Sequence, residues 1–286
     1  MNTGKPITIN CRGKLIDLST PRVMGILNIT PDSFYDGGQY KDRDDILRRT
    51  EKMLNAGADF IDIGAYSSRP GAAHISEDQE LRRIVPVVAM LVREFPEILI
   101  STDTFRANVA RACVEEGAAM INDISAGNLD DQMIPAVAGL QVPYIMMHMK
   151  GTPQNMQQAP QYTDITREVI YYFSEKIAEA RNSGINDIII DPGFGFAKTL
   201  EHNYELMNKL ELLHRLGLPV LTGISRKSMV YKLLGITPPE ALNGTSSLNT
   251  VALLKGTHIL RVHDVKEAVE CVKIVTSLRA GTPDIY

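Results

Sequence analysis

The residues of this sequence that could do chemistry are polar side chains, each placed at or just beyond the end of a short apolar run. They are Asn28, Ser68, Arg69, Asp103, Asn122, His148, Asp191, Lys227, Arg261 and His263. A planar heterocycle with amino and ring N–H donors needs carboxylate and amide acceptors, which Asp103, Asn122 and Asp191 supply. The alternative for these three is a buried polar layer that satisfies the backbone at strand ends. Their occurrence after three different runs favours a ligand.

Two segments carry groups suited to a phosphate and its metal ion. Asn28 opens the segment 28–38, and an amide oxygen in such a place can ligate Mg2+, which prefers few protein oxygens together with substrate phosphates. Further on, Ser68 lies beside Arg69, whose rigid fork of donors suits phosphate or carboxylate. The alternatives are an ordinary turn over 28–38, which is rich in turn residues, and a structural ion pair between Arg69 and Asp62.

Two later segments, 223–228 and 261–264, each lead into a predicted helix. The N–H groups at a helix N-terminus attract anions, and Ser228 would place a hydroxyl there. Lys227 could also act as a Schiff-base nucleophile, an alternative that the residues leave open. The histidines show no spacing typical of metal ligands, so no zinc site is predicted, and His148 is interpreted as a rim residue with its hydrogen bonds satisfied.

Eight apolar runs place these polar groups in the fold. The runs cover residues 23–27, 60–63, 98–101, 119–121, 142–147, 188–190, 219–222 and 259–260. Stretches with helical spacing separate most of them, and the mean repeat of about 34 residues is that of one βα unit. Eight such units predict an α/β fold, a (β/α)8 TIM barrel, whose active site forms at the C-terminal ends of the strands. Polar groups that converge from all eight strands indicate an enzyme.

The stretches between the runs predict the helices and their connections. Helices are expected over 43–55, 77–95, 105–116, 129–137, 164–182, 202–210, 228–234 with 239–254, and 265–278. Residues 7–10 and 14–18 flank a turn and predict a short N-terminal β-hairpin that closes the floor of the barrel. No linker interrupts the series, so residues 1–286 are predicted to form a single domain. The longest connections, 30–42, 65–76 and 150–163, all leave C-terminal strand ends, where mobile catalytic loops belong.

Composition limits the classes of partner and compartment. The 30 basic residues against 34 acidic ones give a net charge of −4, which argues against nucleic acid or an anionic membrane as a partner. The polar segment 1–10 lacks the apolar core of a signal peptide, and the longest apolar run, 84–92, is too short to span a bilayer. The 3 cysteines are far apart and predict neither a disulfide framework nor a thiolate metal site. A soluble, cytoplasmic protein is expected.

Taken together, these segments resemble the dihydropteroate synthase family, the folate-pathway transferases that sulfonamides target. The resemblance extends over residues 24–265 and rests on eight motifs in the family's order, which are 24–38, 62–71, 101–104, 122–125, 148–153, 191–196, 225–227 and 261–264. The family joins p-aminobenzoate to 6-hydroxymethyl-7,8-dihydropterin diphosphate, which releases pyrophosphate and forms dihydropteroate. The resemblance therefore implies these two small-molecule substrates, Mg2+ as cofactor, sulfonamides as inhibitors and a homodimer.

The same resemblance implies a role for each matching residue. Those implied to bind the pterin are Asp103, Asn122, Asp191 and Lys227 at its edge and Arg261 stacked on its ring. Those implied to bind the diphosphate are Ser68, Arg69 and His263, together with Asn28 through Mg2+. Those implied to bind p-aminobenzoate are Phe34, Pro70 and Phe194 around its ring and Ser228 at its carboxylate. Asp36 would stabilise the cationic pterin methylene, and with Arg69 and Lys227 it completes the implied catalytic set.

Two residues depart from the family pattern. Ser68 stands where the family usually has threonine, which keeps the hydroxyl but removes a methyl group, a change expected to alter the pocket and its inhibitor contacts. Ala126 lies in a segment that usually reads Ser-Gly-Gly and is expected to affect only a turn.

The implied chemistry needs no strong base. Pyrophosphate leaves readily once Mg2+ and cationic donors neutralise it, and the electron-rich dihydropterin can stabilise a carbocation at its methylene. Departure can therefore precede attack, in an SN1-like reaction, and a neutral arylamine can then add. No Ser-His-Asp or Cys-His arrangement is required, and the sequence shows none.

Two other functions compete with this interpretation. A methyltetrahydrofolate-dependent methyltransferase shares the Asp and Asn pterin layer but needs no diphosphate site, so Asn28, Arg69 and His263 count against it. A non-catalytic barrel that serves in binding or regulation would be expected to have lost at least one of the key polar residues. Asn28, Asp103, Lys227 and Arg261 are all present.

Overall fold

A ring of parallel strands is the central feature of the computed structural model, which describes residues 7–29, 39–66, 74–151 and 161–280. An antiparallel hairpin comes first, formed by β1 (Thr8–Cys11) and β2 (Lys14–Asp17). The barrel strands are β3 (Arg22–Asn28), β4 (Phe60–Gly64), β5 (Ile100–Asp103), β6 (Met120–Asp123), β7 (Tyr144–Met147), β8 (Ile188–Asp191), β9 (Leu221–Thr222) and β10 (Ile259–Val262). Their order is β8-β7-β6-β5-β4-β3-β10-β9. A parallel bridge between Ile190 and Val220 joins the two ends of this sheet. The predicted (β/α)8 barrel is confirmed.

Helices follow the strands in the predicted alternation. They are α1 (Gln39–Asn55), α2 (Glu77–Glu94), α3 (Ala107–Glu115), α4 (Met133–Leu140), α5 (Ile165–Asn182), α6 (Leu200–Asn208), α7 (Ser228–Leu234), α8 (Leu242–Leu254) and α9 (Val265–Ala280). Short 3-10 helices lie at Leu210–Leu216 and Pro238–Glu240. The fourth helix begins at Met133, four residues later than the predicted 129, because the chain first turns around the Asp123 carboxylate. That carboxylate accepts hydrogen bonds from the backbone N–H groups of Ser125 and Gly127.

The hairpin closes the amino end of the barrel, as predicted. Its apolar side chains, Ile9, Cys11, Ile16 and Leu18, form one buried cluster with inward-facing strand residues such as Phe60. The backbone N–H of Asn10 also donates to the Asp187 carboxylate just before β8, over 2.9 Å. Because apolar packing fills this end, polar ligands can approach the barrel interior only from the carboxyl ends of the strands.

Strand register brings the polar residues at the carboxyl ends together. Asn28 pairs with Gly64, Gly64 with Asp103, and Asp103 with Asn122, so these residues from four adjacent strands form one layer. The strands β4, β6, β7 and β8 are buried along their whole length, as expected of parallel strands covered by helices on one face and the barrel interior on the other. The fold therefore holds the end of each strand rigidly.

Three further features of the described residues relate to the sequence predictions. Among the described residues, no helix is long and apolar enough to cross a membrane. All three cysteines are buried and free. Ala126 lies in the turn after β6, where its φ of 51° is in the region that favours glycine. The single domain over 1–286 stays a prediction, because it includes residues outside the described ranges.

Candidate active site

A buried ion pair network lies across the carboxyl ends of three strands. Arg261 on β10 donates through Nε to Asp62 Oδ2 (2.6 Å) and through a terminal nitrogen to Asp103 Oδ2 (2.7 Å). Asn122 donates its amide N–H to both oxygens of Asp62, at 3.2 and 3.4 Å. The guanidinium thus links β10 to β4 and β5, and Asp62 links it to β6. The structure brings three of the predicted pterin residues, Asp103, Asn122 and Arg261, into one network.

The charges in this network are unequal, because two carboxylates share one guanidinium. Burial raises the pKa of Asp103, Arg261 opposes the rise, and the charge of Asp62 adds to it. Burial tends to lower the pKa of Arg261, but the two carboxylates raise it overall, so the guanidinium stays charged. Asp103 keeps about a fifth of its side-chain surface exposed, whereas Asp62 is fully buried. Asp103 is therefore the carboxylate of this pair that can accept hydrogen bonds from a ligand.

Asp191 and Lys227 form the second half of the mouth. Asp191 ends β8, and its carboxylate accepts the backbone N–H of Gly193 over 2.8 Å. Lys227 precedes α7, and its ammonium donates to the carbonyl oxygen of Phe194 over 2.6 Å. Burial lowers the pKa of Lys227 to about 8, although the charge of Asp191 raises it. Gly223 lies between Lys227 and Arg261, since a Cβ there would be 3.9 Å from the Lys227 nitrogen and 3.7 Å from the Arg261 Cβ. The five predicted pterin residues therefore lie close together at the carboxyl end of the barrel.

Three residues predicted to meet the diphosphate or the aminobenzoate carboxylate lie at the same end of the barrel, namely Asn28, His263 and Ser228. Asn28 ends β3, and Ser228 is the first residue of α7; both are half-buried. His263 follows β10, and its Nδ1 lies 3.0 Å from the hydroxyl oxygen of Ser225. That oxygen also accepts the His263 backbone N–H over 3.2 Å. Ser225 therefore fixes the orientation of the His263 ring.

Five predicted site residues lie outside the described residues. They are Phe34 and Asp36 in the first long connection, and Ser68, Arg69 and Pro70 in the second. The described ends of both connections lie at the barrel mouth, since Asn28 ends β3 and Tyr66 follows β4. The roles implied for these five stay predictions.

Of the two phenylalanines after β8, Phe196 and not the predicted Phe194 brings its ring to Lys227. Phe194 is fully buried and packs in the apolar cluster between the strands and the outer helices. Only its carbonyl oxygen reaches the site, where it accepts from Lys227. Phe196 is half-buried, and the Lys227 ammonium lies 4.7 Å from its ring centroid. The implied place of Phe194 in the aminobenzoate slot is therefore wrong as to the ring, because left-handed residues at Gly193 and Gly195 turn the chain between the two phenylalanines.

Four residues of the site were not among those predicted from sequence. Asp62 and Ser225 lie within quoted motifs and hold Arg261 and His263, and Phe196 and Lys198 lie in the segment after β8. The sequence does indicate a role for Asp62, because an acidic residue inside a buried strand needs a cationic partner. Arg261 is such a partner, whereas the alternative pair with Arg69 includes a residue outside the described ranges.

His148 is buried and its hydrogen bonds are satisfied, as predicted. Its Nδ1 lies 3.0 Å from the ammonium of Lys198, and the ring packs edge-on against Tyr172 at 4.9 Å between centroids. Burial lowers the pKa of His148 well below its usual value, and the charges of Lys198 and Lys150 lower it further. The neutral ring belongs to the support of the site.

The donor set at the rim fits a metal ion carried mainly by a substrate. Within the part of the chain that the structure describes, no three His, Cys, Asp or Glu side chains come together as a metal site. Mg2+ usually takes one or two protein oxygens and completes its shell with waters and substrate phosphates. The amide oxygen of Asn28 at the end of β3 could be such a ligand, so the residues present are compatible with Mg2+ arriving with the diphosphate.

Comparisons with known proteins agree with this geometry. The family profile described as "Pterin binding enzyme" matches residues 24–263. The dihydropteroate synthase of Escherichia coli strain K12 is 46% identical over 266 residues, which cover 92% of this chain and 94% of that protein. A crystal structure of the Yersinia pestis dihydropteroate synthase with a sulfonamide drug complex is 44% identical, with a TM-score of 0.90 over 96% of this chain and 100% of that one. The Xanthomonas albilineans dihydropteroate synthase in complex with 7,8-dihydropteroate is 37% identical, with a TM-score of 0.86 over 96% and 99% of the two chains.

Proposed function

This chain belongs to the dihydropteroate synthase family of pterin binding enzymes, and on that premise we propose that it joins p-aminobenzoate to 6-hydroxymethyl-7,8-dihydropterin diphosphate. The products are 7,8-dihydropteroate and pyrophosphate. The observation that carries the proposal is the network in which Arg261 bridges Asp62 and Asp103, beside Asp191 and Lys227. It sets acceptors and a planar cation around one opening, which is what a flat, donor-rich pterin requires.

The pterin would bind with its donor edge on the strand ends. Asp103, Asn122 and Asp191 offer oxygens from three adjacent or nearby strands, and Lys227 offers a donor to the ring's own acceptors. Arg261 is held by two carboxylates, so its guanidinium plane is fixed before any ligand arrives. A preformed plane of this kind can stack against a ring at little entropic cost.

The diphosphate would lie toward β3 and β10. His263, oriented by Ser225, and the implied Ser68 and Arg69 would hold phosphate oxygens, and Asn28 would contribute an oxygen to Mg2+. When bound, Mg2+ supplies positive charge that makes pyrophosphate a better leaving group. His263 and Arg69 would add donors to the oxygens on which negative charge develops.

The reaction at the methylene would follow from this arrangement in an SN1-like manner. Loss of pyrophosphate leaves a cation that the electron-rich ring delocalises, and Asp36 would stabilise it. The amino nitrogen of p-aminobenzoate would then add, with its ring against Phe196 in place of the predicted Phe194, and with Phe34 and Pro70 on the other side. Ser228 would bind the carboxylate at the start of α7, where backbone N–H groups attract anions.

The direct test is an incubation of the purified chain with pterin diphosphate, p-aminobenzoate and Mg2+, followed by mass analysis. We expect 7,8-dihydropteroate and pyrophosphate in equal amounts. If no dihydropteroate forms, a parallel incubation with methyltetrahydrofolate decides: loss of its methyl group would indicate the related methyltransferase, and no reaction in either incubation would indicate a binding protein.

The Asp191 carboxylate should be essential for pterin affinity. Asp191→Asn keeps the size of the side chain but replaces an acceptor by donors that face the pterin's own N–H groups. Leaving such buried donors unpaired should cost about 1–3 kcal/mol of binding free energy, roughly 5- to 150-fold in affinity. Calorimetric titration with the pterin substrate measures it, and an unchanged affinity would remove Asp191 from the site. Asp130→Asn is the control. Asp130 lies before α4, where its partly buried carboxylate accepts the backbone N–H of Ala107, and its replacement is expected to leave the pterin affinity unchanged.

Binding of the two substrates should be positively coupled. Phe34 and Asp36 follow Asn28 in the first long connection, and Pro70 follows Ser68 and Arg69 in the second. A diphosphate held by Asn28, Ser68 and Arg69 therefore fixes the same two segments that complete the aminobenzoate slot.

We expect p-aminobenzoate to bind weakly to the free protein and about 5- to 150-fold more tightly with Mg2+ and pyrophosphate, an effect that must be reciprocal. Titrations of p-aminobenzoate with and without Mg2+-pyrophosphate measure the coupling. Equal affinities in the two would show that the slot is preformed.

Three further properties belong to the same proposal. Sulfonamides would compete with p-aminobenzoate for its slot. The chain would work in the cytoplasm. It would form a homodimer through the side of the barrel made by α7, α8 and α9, where large apolar side chains are exposed, namely Leu233, Leu234, Leu242, Leu254, Ile274 and Leu278.

A further inference from the structure

Lys198 is a buried cation that contacts none of the groups assigned to the substrates. Its side chain is 4% exposed, and its ammonium lies 2.9 Å from the carbonyl oxygen of Gly193, 3.0 Å from that of Phe196 and 3.0 Å from His148 Nδ1. These three acceptors match the three N–H donors of an ammonium. Burial lowers the pKa of Lys198 to about 7, although the charge of Asp191 raises it.

The segment that Lys198 holds has a backbone that needs support. Gly193, Gly195 and Ala197 all have positive φ angles, of 69°, 82° and 47°, and Ala197 carries a side chain in that region. A side chain at Gly193 would collide with the carbonyl oxygen of His148, so the segment lies directly on the end of β7. Lys198 ties the segment to His148 from within.

Two other side chains support the same segment, one on α6 and one just before α5. Asn203 accepts the backbone N–H of Gly195 over 2.7 Å, and Tyr162, just before α5, donates its hydroxyl to the carbonyl oxygen of Ala197 over 2.9 Å. A conformation of this kind persists only where the surroundings impose it. The polar contacts made to residues 193–197 therefore hold this segment in a conformation that it would not keep by itself.

The segment in turn positions Lys227. The carbonyl oxygen of Phe194 accepts from the Lys227 ammonium, and the ring of Phe196 lies under it. The N–H of Gly193 also binds the Asp191 carboxylate. Lys198 therefore touches the backbone of Gly193 and Phe196, and these residues touch Asp191 and Lys227.

We propose that Lys198 is a positioning residue for the pterin half of the site, which it maintains by fixing residues 193–197 against the end of β7. The proposal rests on the proposed function, because it takes Asp191 and Lys227 as pterin ligands. It assigns no role to Lys198 in holding the diphosphate, since Asn28 and His263 lie on β3 and after β10. The proposal therefore predicts that the loss of Lys198 weakens the binding of the pterin but not the binding of pyrophosphate.

The test is Lys198→Met, with two ligands titrated separately by calorimetry. We expect the affinity for 6-hydroxymethylpterin to fall about tenfold, whereas the affinity for pyrophosphate with Mg2+ stays within about twofold. General damage to the fold would lower both affinities together or only the melting temperature. Unchanged pterin affinity, or equal losses for the two ligands, would overturn the proposal.

A charge-matched control and a milder variant complete the design. Lys209→Met removes a cation at the end of α6 that is paired with Glu205 on the surface, and it should change neither affinity. If Lys198→Met does not fold, Tyr162→Phe decides, because it keeps the ring and removes only the donor to Ala197. It should weaken pterin binding about threefold and leave pyrophosphate binding unchanged; no change in pterin binding would overturn the proposal.

The parent protein separates this inference from the proposed function. A parent that binds 6-hydroxymethylpterin but forms no dihydropteroate would contradict the proposed reaction, and the Lys198 variants would still decide the positioning role. A parent that does not bind the pterin would overturn both.

Discussion

Replacing Asn28 by alanine should slow dihydropteroate formation about 30- to 1000-fold at saturating Mg2+, because one interaction with the developing charge of the leaving group is lost. That range corresponds to about 2–4 kcal/mol of transition state stabilisation. Asn28 ends β3 and pairs through its backbone with Gly64, so a change of its side chain leaves the strand pairing intact. The melting temperature should therefore stay close to that of the parent.

Two further measurements make this prediction specific. Calorimetry with pyrophosphate and Mg2+ should show weakened binding in Asn28→Ala, whereas binding of 6-hydroxymethylpterin should be unchanged. Arg69→Ala should slow turnover in the same range, since its motif implies the same ligand. Asn108→Ala, on the outer helix α3 where the side chain binds Glu77, is the matched control and should retain full activity. Turnover of Asn28→Ala within threefold of the parent would refute the assignment.

The barrel could be predicted from sequence because each strand combines an apolar run with a polar residue at its end. Asp103, Asn122 and Asp191 were found in this way, since parallel strands must present their carboxyl ends at one edge. Helix α7 was predicted with both of its ends correct, because Gly235 in a left-handed conformation ends it.

The connections were less predictable, because their geometry depends on contacts that are distant in sequence. Phe194 and Phe196 are two residues apart, which in a strand would put both rings on one face. Gly193, Gly195 and Ala197 break that alternation, so one ring enters the core and the other the site. The pairing of Asp62 with Arg261 joins residues 199 positions apart, a distance that no local pattern encodes.

The loss of Arg261 should be the most destabilising change in the site. Arg261→Ala leaves Asp62 fully buried with the Asn122 amide as its one remaining side-chain donor among the described residues, and it deprives Asp103 of its cation. Removing one partner of a buried ion pair typically costs about 3–5 kcal/mol, and here one guanidinium serves two carboxylates. Urea denaturation at pH 7 should therefore show a loss of about 3–5 kcal/mol in the free energy of unfolding.

The pH dependence of the free energy of unfolding provides a second, independent test of this prediction. Burial already raises the pKa of Asp103 above its value in the unfolded chain, and Arg261 opposes the rise. Without Arg261 the rise is larger, so the folded variant binds a proton more tightly than the unfolded one. Its stability therefore increases as the pH falls through the folded pKa of Asp103 toward the lower pKa of the unfolded chain. The difference between parent and variant should therefore be smaller at pH 5 than at pH 7.

A control at the other end of the barrel distinguishes this effect from a general loss of charge. Arg22→Ala removes an arginine that pairs with Asp59 over 3.0 Å, but both side chains there remain about 30% exposed. A pair of that kind contributes about 1 kcal/mol or less, so this variant should lose little stability. Equal losses in the two variants, or a loss in Arg261→Ala that does not diminish from pH 7 to pH 5, would mean that the network contributes no more than an exposed ion pair. In that case Arg261 would be retained for the ligand alone, and its guanidinium would not be fixed in place before the pterin binds.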